Sequence, residues 1–187
     1  SNGKLTWNKV SYGTDGVVEE PRYELSITGG AAPTTPITLD TNEYSELALT
    51  AGVEYIAKVK AKPSNDLQNF YTASAYSDEI AIYKLNSVDS MTVESGIVTW
   101  NTVDRANKYI VNVNGVDVDT LDAPTDGTTL SFDANSYFSD DVDTVTVKVK
   151  PICDNNPLIF DGEYSVNNAV IYQLGETSNF SLQSNPD

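Results

Sequence analysis

The sequence contains no histidine and only one cysteine, Cys153, in 187 residues. The lack of histidine excludes Ser-His-Asp and Cys-His catalysis and removes the commonest side-chain ligand of transition metals. A single cysteine excludes any disulfide within the chain. Because the nearest base to Cys153 is Lys150, a reactive thiolate is not favoured, and we expect a buried free thiol there.

Basic residues are scarce, with 11 lysines and arginines against 27 acids and a formal net charge of −16. Nucleic-acid binding and attraction to an anionic membrane both need a basic surface, so neither is expected. No run of 18 apolar residues occurs, so membrane insertion is not expected either. The acids are concentrated in residues 86–187, which would therefore hold any cation site.

The chain instead contains the same sequence pattern twice. Three short segments, the echoes, each occur twice in the same order at a nearly constant spacing of about 90 residues, which indicates two copies of one domain. The echoes are Leu5–Val10 with Val98–Val103, Lys58–Lys60 with Lys148–Lys150, and Ile82–Leu85 with Ile171–Leu174.

The echoes divide the chain into a first repeat (1–85), a second repeat (86–175) and a polar tail or linker (176–187). The join at Leu85-Asn86-Ser87 is short and contains no glycine or proline, so we expect limited motion between the repeats. The second repeat has a strand-like segment before its Gly96 turn, and the first repeat has no counterpart. We therefore expect the first strand of the first repeat to be missing or supplied by something else.

Apolar and polar residues alternate throughout both repeats, as in half-buried antiparallel strands. Asn114-Gly115 separates two such runs and predicts a tight hairpin turn. The predicted strands cover residues 4–9, 22–28, 36–40, 45–49, 54–62 and 78–85, then 89–94, 96–101, 108–114, 116–120, 128–133, 143–151 and 167–174. No amphipathic helix is evident, and the pattern is typical of an all-β sandwich.

Several residues resemble the signature of fibronectin type III domains. Leu49, Gly52 and Tyr55 resemble the "tyrosine corner" before the sixth strand, although Val145 stands at the corner position of the second repeat. The other matching positions are Trp7 and Trp100 in the second strand, Tyr23 and Tyr109 in the third, and Tyr76-Ser77 and Tyr164-Ser165 before the last. The resemblance implies two tandem fibronectin type III or immunoglobulin-like sandwiches.

The amino-acid sequence of the repeats also resembles that of modules in cell-surface or secreted proteins of Gram-positive gut bacteria. That resemblance implies an extracellular location within a larger protein, beside glycan-active enzymes, adhesins or lipoproteins. The partners it implies are neighbouring domains of the same polypeptide, with a glycan or a surface protein as further possibilities.

Aromatic residues in loops are the first candidates for ligand binding. Phe70 and Tyr71 lie in the long connection between the last two strands of the first repeat, and Phe160 lies in the matching loop of the second. Such rings can stack on a sugar, fill a pocket in a partner or fold back over the open end of the sandwich. Trp7 and Trp100 lie within strands, where core packing is the simpler interpretation.

Acidic clusters in the second repeat are candidates for calcium, which binds six to eight oxygens. The alternative is a solvated strand face, since Asp117 and Asp119 alternate with valines and no EF-hand spacing occurs. The candidate ligands are Asp117, Asp119, Asp122, Asp126, Asp140, Asp141 and Asp143. Glu19-Glu20 is the most obvious carboxylate pair, but adjacent loop residues are not held at the separation that glycoside hydrolysis needs.

Three functions remain open at this point. The leading hypothesis is a non-catalytic spacer or accessory pair without a cofactor, because the chain has tandem repeats, a short join and high acidity. The second is a carbohydrate-binding module that uses the loop aromatics. The third is an adhesin-type protein that binds through a free strand edge in the first repeat.

Overall fold

The computed structural model describes residues 3–11, 21–32, 35–139 and 141–174. These residues form β-strands almost throughout, with one 3-10 helix (Asn135–Tyr137). The strands of the first repeat are β1 (Gly3–Thr6), β2 (Arg22–Thr28), β3 (Ile37–Leu39), β4 (Glu43–Leu47), β5 (Glu54–Lys62) and β6 (Ile80–Lys84). Those of the second are β7 (Met91–Glu94), β8 (Ile97–Asn101), β9 (Lys108–Val113), β10 (Val116–Asp122), β11 (Thr129–Asp133), β12 (Thr144–Ile152), β13 (Ile159–Phe160) and β14 (Ala169–Tyr172).

The second repeat contains two complete antiparallel sheets. One has the order β11-β8-β7, and the other has the order β10-β9-β12-β14. The Asn114-Gly115 turn joins β9 to β10, and both residues have positive φ, at 51° and 89°. Two consecutive left-handed residues form the type I′ hairpin that an Asn-Gly pair predicts.

In its described residues, the first repeat shows one strand fewer than this arrangement. Its larger sheet has the order β3-β2-β5-β6, and the described strands of its smaller sheet are β1 and β4. In the second repeat the equivalent of β1 is β8, which also pairs with β7, so that Met91 lies opposite Trp100 and Val93 opposite Val98. Among the described residues, no strand pairs with the corresponding edge of β1.

Each repeat has its own hydrophobic core, formed by the apolar residues that face inward from its alternating strands. The first core contains Leu5, Leu25, Ile27, Leu47, Tyr55, Ala57 and Ile82. The second contains fourteen buried residues, among them Val98, Trp100, Tyr109, Val111, Val145, Val147 and Val149. The predicted all-β sandwich class is confirmed.

Tyrosine hydroxyls hold equivalent loops in the two repeats. The Tyr55 hydroxyl accepts a hydrogen bond from the Thr50 backbone N–H at 3.0 Å, as the tyrosine corner predicts. A second tyrosine hydrogen bond occurs in both repeats. The Tyr23 hydroxyl accepts from the Val10 N–H at 3.0 Å, and the Tyr109 hydroxyl accepts from the Val103 N–H at 2.6 Å. The connection before each third-strand tyrosine is therefore closed in the same way, although the first is seven residues longer.

Three strand predictions need correction. The predicted strand 45–49 lies two residues earlier in the chain, as β4 (Glu43–Leu47). The first predicted strand, 4–9, ends at Thr6, because the Trp7 N–H donates to the Asn42 carbonyl outside the ladder and Asn42 donates back to the Trp7 carbonyl. Strand β13 was not predicted, because two residues carry no periodicity and its partner lies in the other repeat.

Candidate functional site

The best-built contact surface of the molecule is the junction between the two repeats. Strand β13 pairs in parallel with β6, which places Ile159 beside Tyr83 and Phe160 beside Lys84. The backbone N–H groups of Tyr83 and Leu85 donate to the carbonyls of Leu158 and Phe160, at 3.0 and 2.9 Å. A loop of the second repeat therefore extends the larger sheet of the first.

Apolar side chains fill the space behind this strand pair. Tyr83 and Leu85 are 7% and 0% exposed and form a small cluster with Cys153, against which Val103, Ala106 and Ile159 pack. Cys153 is a buried free cysteine, as the sequence indicated, and its Sγ lies 3.2 Å from Asn155 Oδ1.

Charged residues surround the apolar part of the junction. The Arg105 guanidinium lies over the Tyr83 ring, 4.3 Å from its centroid, and also contacts Glu54 at 2.8 Å. Lys84 forms a second ion pair with Glu163 at 2.8 Å, and this lysine lowers the pKa of the Glu163 carboxyl. Exposed ion pairs contribute little stability, so their main effect is to favour one relative orientation of the repeats.

The backbone of Asn86 leaves no room for a side chain at Gly162. A Cβ added to Gly162 would lie 2.6 Å from the Asn86 carbonyl oxygen and 2.8 Å from Pro151 Cγ. The loop at Gly162 therefore packs against the backbone of the connection between the repeats, which limits hinge motion on that side.

The junction changes the interpretation of Phe160. The sequence offered this residue as a loop aromatic for ligand binding, but its side chain is partly buried against the core of the first repeat. Within this chain Phe160 acts as a docking residue. The sequence analysis used Ile82–Leu85 only as evidence of repetition and did not predict that Phe160 docks there.

Phe70 and Tyr71 lie at the other long connection, between β5 and β6. Phe70 is 79% exposed. Tyr71 is half-buried and lines a shallow cleft of about 280 Å³ together with Val10, Pro21 and Pro63. The two rings therefore differ in exposure, and the structure does not present them as one pair of exposed platforms.

The predicted second-strand tryptophans face their cores. Trp100 is buried, and Trp7 is half-buried with its ring 5.5 Å from that of Tyr23 in an edge-to-face arrangement. Trp7 remains partly exposed because it borders a groove of about 290 Å³ along β1. The groove has a largely apolar lining that includes Leu5, Leu25, Ala57, Val59 and Ile80.

The acidic residues proposed for calcium are distributed over the second repeat. Asp117 accepts hydrogen bonds from Asn112 and the Tyr164 hydroxyl, both at 2.6 Å, and these bonds, Asn112 first, lower the pKa of its carboxyl. Burial and then the Asp117 hydrogen bond raise the pKa of Tyr164 to about 12. Asp119 accepts from the Thr120 N–H, and Asp143 contacts the Thr144 hydroxyl. Asp122, Asp126 and Asp141 are exposed.

In the part of the chain that the structure describes, no three Asp, Glu or Cys side chains come together as a metal site. Asp140 lies outside the described residues, as do Glu19, Glu20 and the tail from residue 175. A calcium site that includes Asp140 stays a prediction. No helix among the described residues is long and apolar enough to span a membrane.

Comparison with known proteins adds structural likenesses but no sequence family. No family model matches the sequence, and no curated protein matches it. Similar solved structures include a two-domain fibronectin type III segment of chicken tenascin, at 14% identity, a TM-score of 0.35 and 91% coverage of both chains. Another is the central fibronectin III array of RIM-binding protein, at 15% identity and a TM-score of 0.36, where 83% of this chain matches 55% of that one.

A third similar structure is the spore cortex lytic enzyme SleM of Clostridium perfringens. It has 16% identity and a TM-score of 0.28, and the match covers 48% of this chain and 28% of the enzyme. The strand order of the sheets and the hydrogen bond of the Tyr55 hydroxyl are those of an all-β protein with two tandem fibronectin type III-like sandwiches.

Proposed function

We propose that this chain is a non-catalytic spacer, a pair of modules that holds its neighbouring domains at a set distance and orientation. The observation that carries the proposal is the junction, where a strand of the second repeat continues a sheet of the first. A flexible linker would allow two sandwiches to reorient freely. Here Leu85 is buried and the Asn86 backbone packs against Gly162, so reorientation requires the strand pair and the apolar cluster to break.

The chemistry of the chain supports the same function. It has no histidine, and its net charge of −16 favours solubility and repulsion between neighbouring molecules. An extracellular position in a bacterial surface protein is part of the proposal, supported by the resemblance of the repeats to such modules. The partners of a spacer are the adjoining domains of its own polypeptide.

Rotational diffusion of the two repeats tests the proposal. We expect ¹⁵N relaxation of the full chain to give both repeats the same tumbling, as in a single rigid body. An insertion of four Gly-Ser residues between Asn86 and Ser87 serves as the flexible reference, and its two repeats should tumble separately. If the two repeats of the native chain tumble as separately as those of the insertion variant, the spacer proposal is overturned.

Carbohydrate binding is a second candidate, favoured by one observation, the 79% exposure of Phe70. An exposed aromatic ring offers a flat apolar face on which a sugar can stack. A glycan array and a polysaccharide pull-down with the native chain and a Phe70→Ala/Tyr71→Ala variant test it. Loss of binding in the variant supports the candidate, and no binding by the native chain removes it.

A further inference from the structure

The Asn114-Gly115 turn between β9 and β10 contains a pair of residues that react with each other in a flexible backbone. The nitrogen of a glycine can attack the side-chain amide carbon of a preceding asparagine, because glycine has no side chain to obstruct the approach. Both residues are exposed, and a Cβ added to Gly115 would meet no atom within 4 Å. Water therefore reaches the turn, so its chemical stability depends on hydrogen bonds and on backbone geometry.

The reaction is deamidation, and its only co-reactant is water. The Gly115 nitrogen loses its proton to the solvent and forms a bond to Asn114 Cγ. The bond between Cγ and Nδ2 then breaks, the leaving group takes up a proton and departs as ammonia, and a cyclic succinimide remains. Water opens this ring at either carbonyl, which gives aspartate or isoaspartate at position 114.

The attacking nitrogen of this reaction is hydrogen-bonded in the folded chain. The Gly115 N–H donates to Asn112 Oδ1 at 3.0 Å. An N–H within a two-residue turn has no partner in the strand ladder, so a side chain supplies the acceptor here. Removal of the Gly115 proton would break this hydrogen bond, which raises the barrier to the attack.

The amide group that would be attacked is held as well. Asn114 Oδ1 accepts from the Thr146 N–H at 2.8 Å, and the Asn114 N–H donates to the Thr146 carbonyl at 2.9 Å. These two bonds fasten Asn114 to β12, and its backbone is left-handed, with φ at 51°. Closure of a succinimide ring requires a ψ angle outside the left-handed region, so the turn must open before the ring forms.

Two further side chains fix the position of Asn112. Its Nδ2 donates to Asp117 Oδ1 at 2.6 Å, and the Tyr164 hydroxyl donates to the same oxygen, also at 2.6 Å. Asn112 is 8% exposed, so little water can replace these partners. Because the Nδ2 end of the amide is bound to Asp117, its Oδ1 end faces Gly115. The three side chains therefore connect the turn to the segment before β14.

We propose that Asn114-Gly115 is a latent deamidation site, which the network of Asn112, Asp117 and Tyr164 keeps unreactive in the folded chain. Deamidation adds a negative charge next to the acidic strand β10. Isoaspartate also lengthens the backbone within a two-residue turn, which shifts the register of β10 on β9. The network therefore preserves the outer strand of the larger sheet in the second repeat.

Comparison of the folded chain with a peptide of residues 110–118 tests the proposal. Both are incubated at the same neutral pH and temperature, and fragment mass spectra locate the deamidation and the isoaspartate at Asn114. We expect the reaction to be at least about tenfold slower in the folded chain, because there it requires local opening of the turn. Equal rates in the folded chain and the peptide overturn the proposal.

A variant of Asn112 tests the network. Asn112→Ala removes the acceptor of the Gly115 N–H, so deamidation at Asn114 in the folded chain should become at least about fivefold faster. Asn107→Ala is the matched control, because Asn107 also donates to a carboxylate, that of Asp154, and accepts from a backbone N–H in the same repeat. If deamidation in Asn112→Ala is no faster than in Asn107→Ala, the proposal is overturned.

Tyr164→Phe keeps the test decisive if Asn112→Ala does not fold. This change retains the aromatic ring and removes only the hydrogen bond to Asp117, so Asn114 should deamidate faster than in the native chain. Hydrogen exchange of the Gly115 N–H, followed by NMR, is the second readout, because this exposed amide donates to Asn112. We expect its exchange to become faster in Tyr164→Phe. If either rate is the same as in the native chain, the proposal is overturned.

Discussion

The guanidinium of Arg105 lies 4.3 Å from the ring centroid of Tyr83, which joins a loop of the second repeat to the last strand of the first. Arg105 adopts a left-handed backbone conformation, with φ at 64°. Such a conformation is unfavourable for a residue with a side chain and persists where surrounding contacts hold it. From this conformation the Arg105 side chain reaches both Tyr83 and Glu54.

Replacement of Arg105 by alanine should loosen the junction without unfolding either repeat. Alanine has the same backbone strain at positive φ, so the change isolates the cation–π contact and the ion pair with Glu54. We expect the ¹⁵N relaxation of the two repeats to become less uniform while both keep their amide chemical-shift dispersion. Arg22→Ala is the matched control, because Arg22 pairs with Asp40 inside the first repeat. An equal effect of both variants would contradict the junction function of Arg105.

Gly162 should not tolerate a side chain. An added Cβ would meet the Asn86 carbonyl oxygen at 2.6 Å and Pro151 Cγ at 2.8 Å, so Gly162→Ala should cost about 1–3 kcal/mol in unfolding free energy. Gly127→Ala is the control, since its Cβ would meet only Pro124 at 3.5 Å. Urea denaturation followed by circular dichroism measures both, and equal midpoints would show that the junction adjusts to the extra methyl group.

The two third-strand tyrosines should differ in what their hydroxyls contribute. Tyr109→Phe removes the acceptor of the half-buried Val103 N–H, which should cost about 1–2 kcal/mol because the donor loses its partner. Tyr23→Phe should cost less, because Val10 is exposed and water can replace the hydroxyl. Denaturant unfolding of both variants measures the difference, and a larger loss for Tyr23→Phe would contradict this explanation.

Acid should weaken the first repeat through Glu24. The hydrogen bond from Lys60, followed by that from Tyr76, lowers the pKa of Glu24 from 4.5 to about 2. A carboxyl with a lowered folded-state pKa stabilises the fold fully above its unfolded pKa and loses that contribution as the pH falls from about 4.5 towards 2. Glu24→Gln should therefore be less stable than the native chain at neutral pH and nearly equal near pH 2. Melting temperatures across this range test the prediction, and a constant difference would contradict it.

The candidate binding residues differ in whether contacts between the two repeats determine their exposure. The exposure of Phe70 follows from its place in a long connection, which the sequence showed. Phe160 lies in an equivalent connection but is partly buried, because its loop reaches the first repeat. No local pattern distinguishes these two residues, since the difference arises from a neighbour about 75 residues away in the chain.

The sequence by itself determined the all-β class, the two repeats, most of the strands, the Asn114-Gly115 hairpin and the tyrosine corner at Tyr55. The strands and the hairpin follow from period-two alternation and local backbone preferences, which act over a few residues. The two repeats follow from the recurring segments, and the tyrosine corner is what the resemblance to fibronectin type III domains implied. Only the tertiary structure decided that β13 joins β6, that Cys153 and Leu85 share one cluster, and that the edge of β1 has no partner among the described strands. These features depend on how separate surfaces fit together, and burial between distant segments leaves no periodic signal in the sequence.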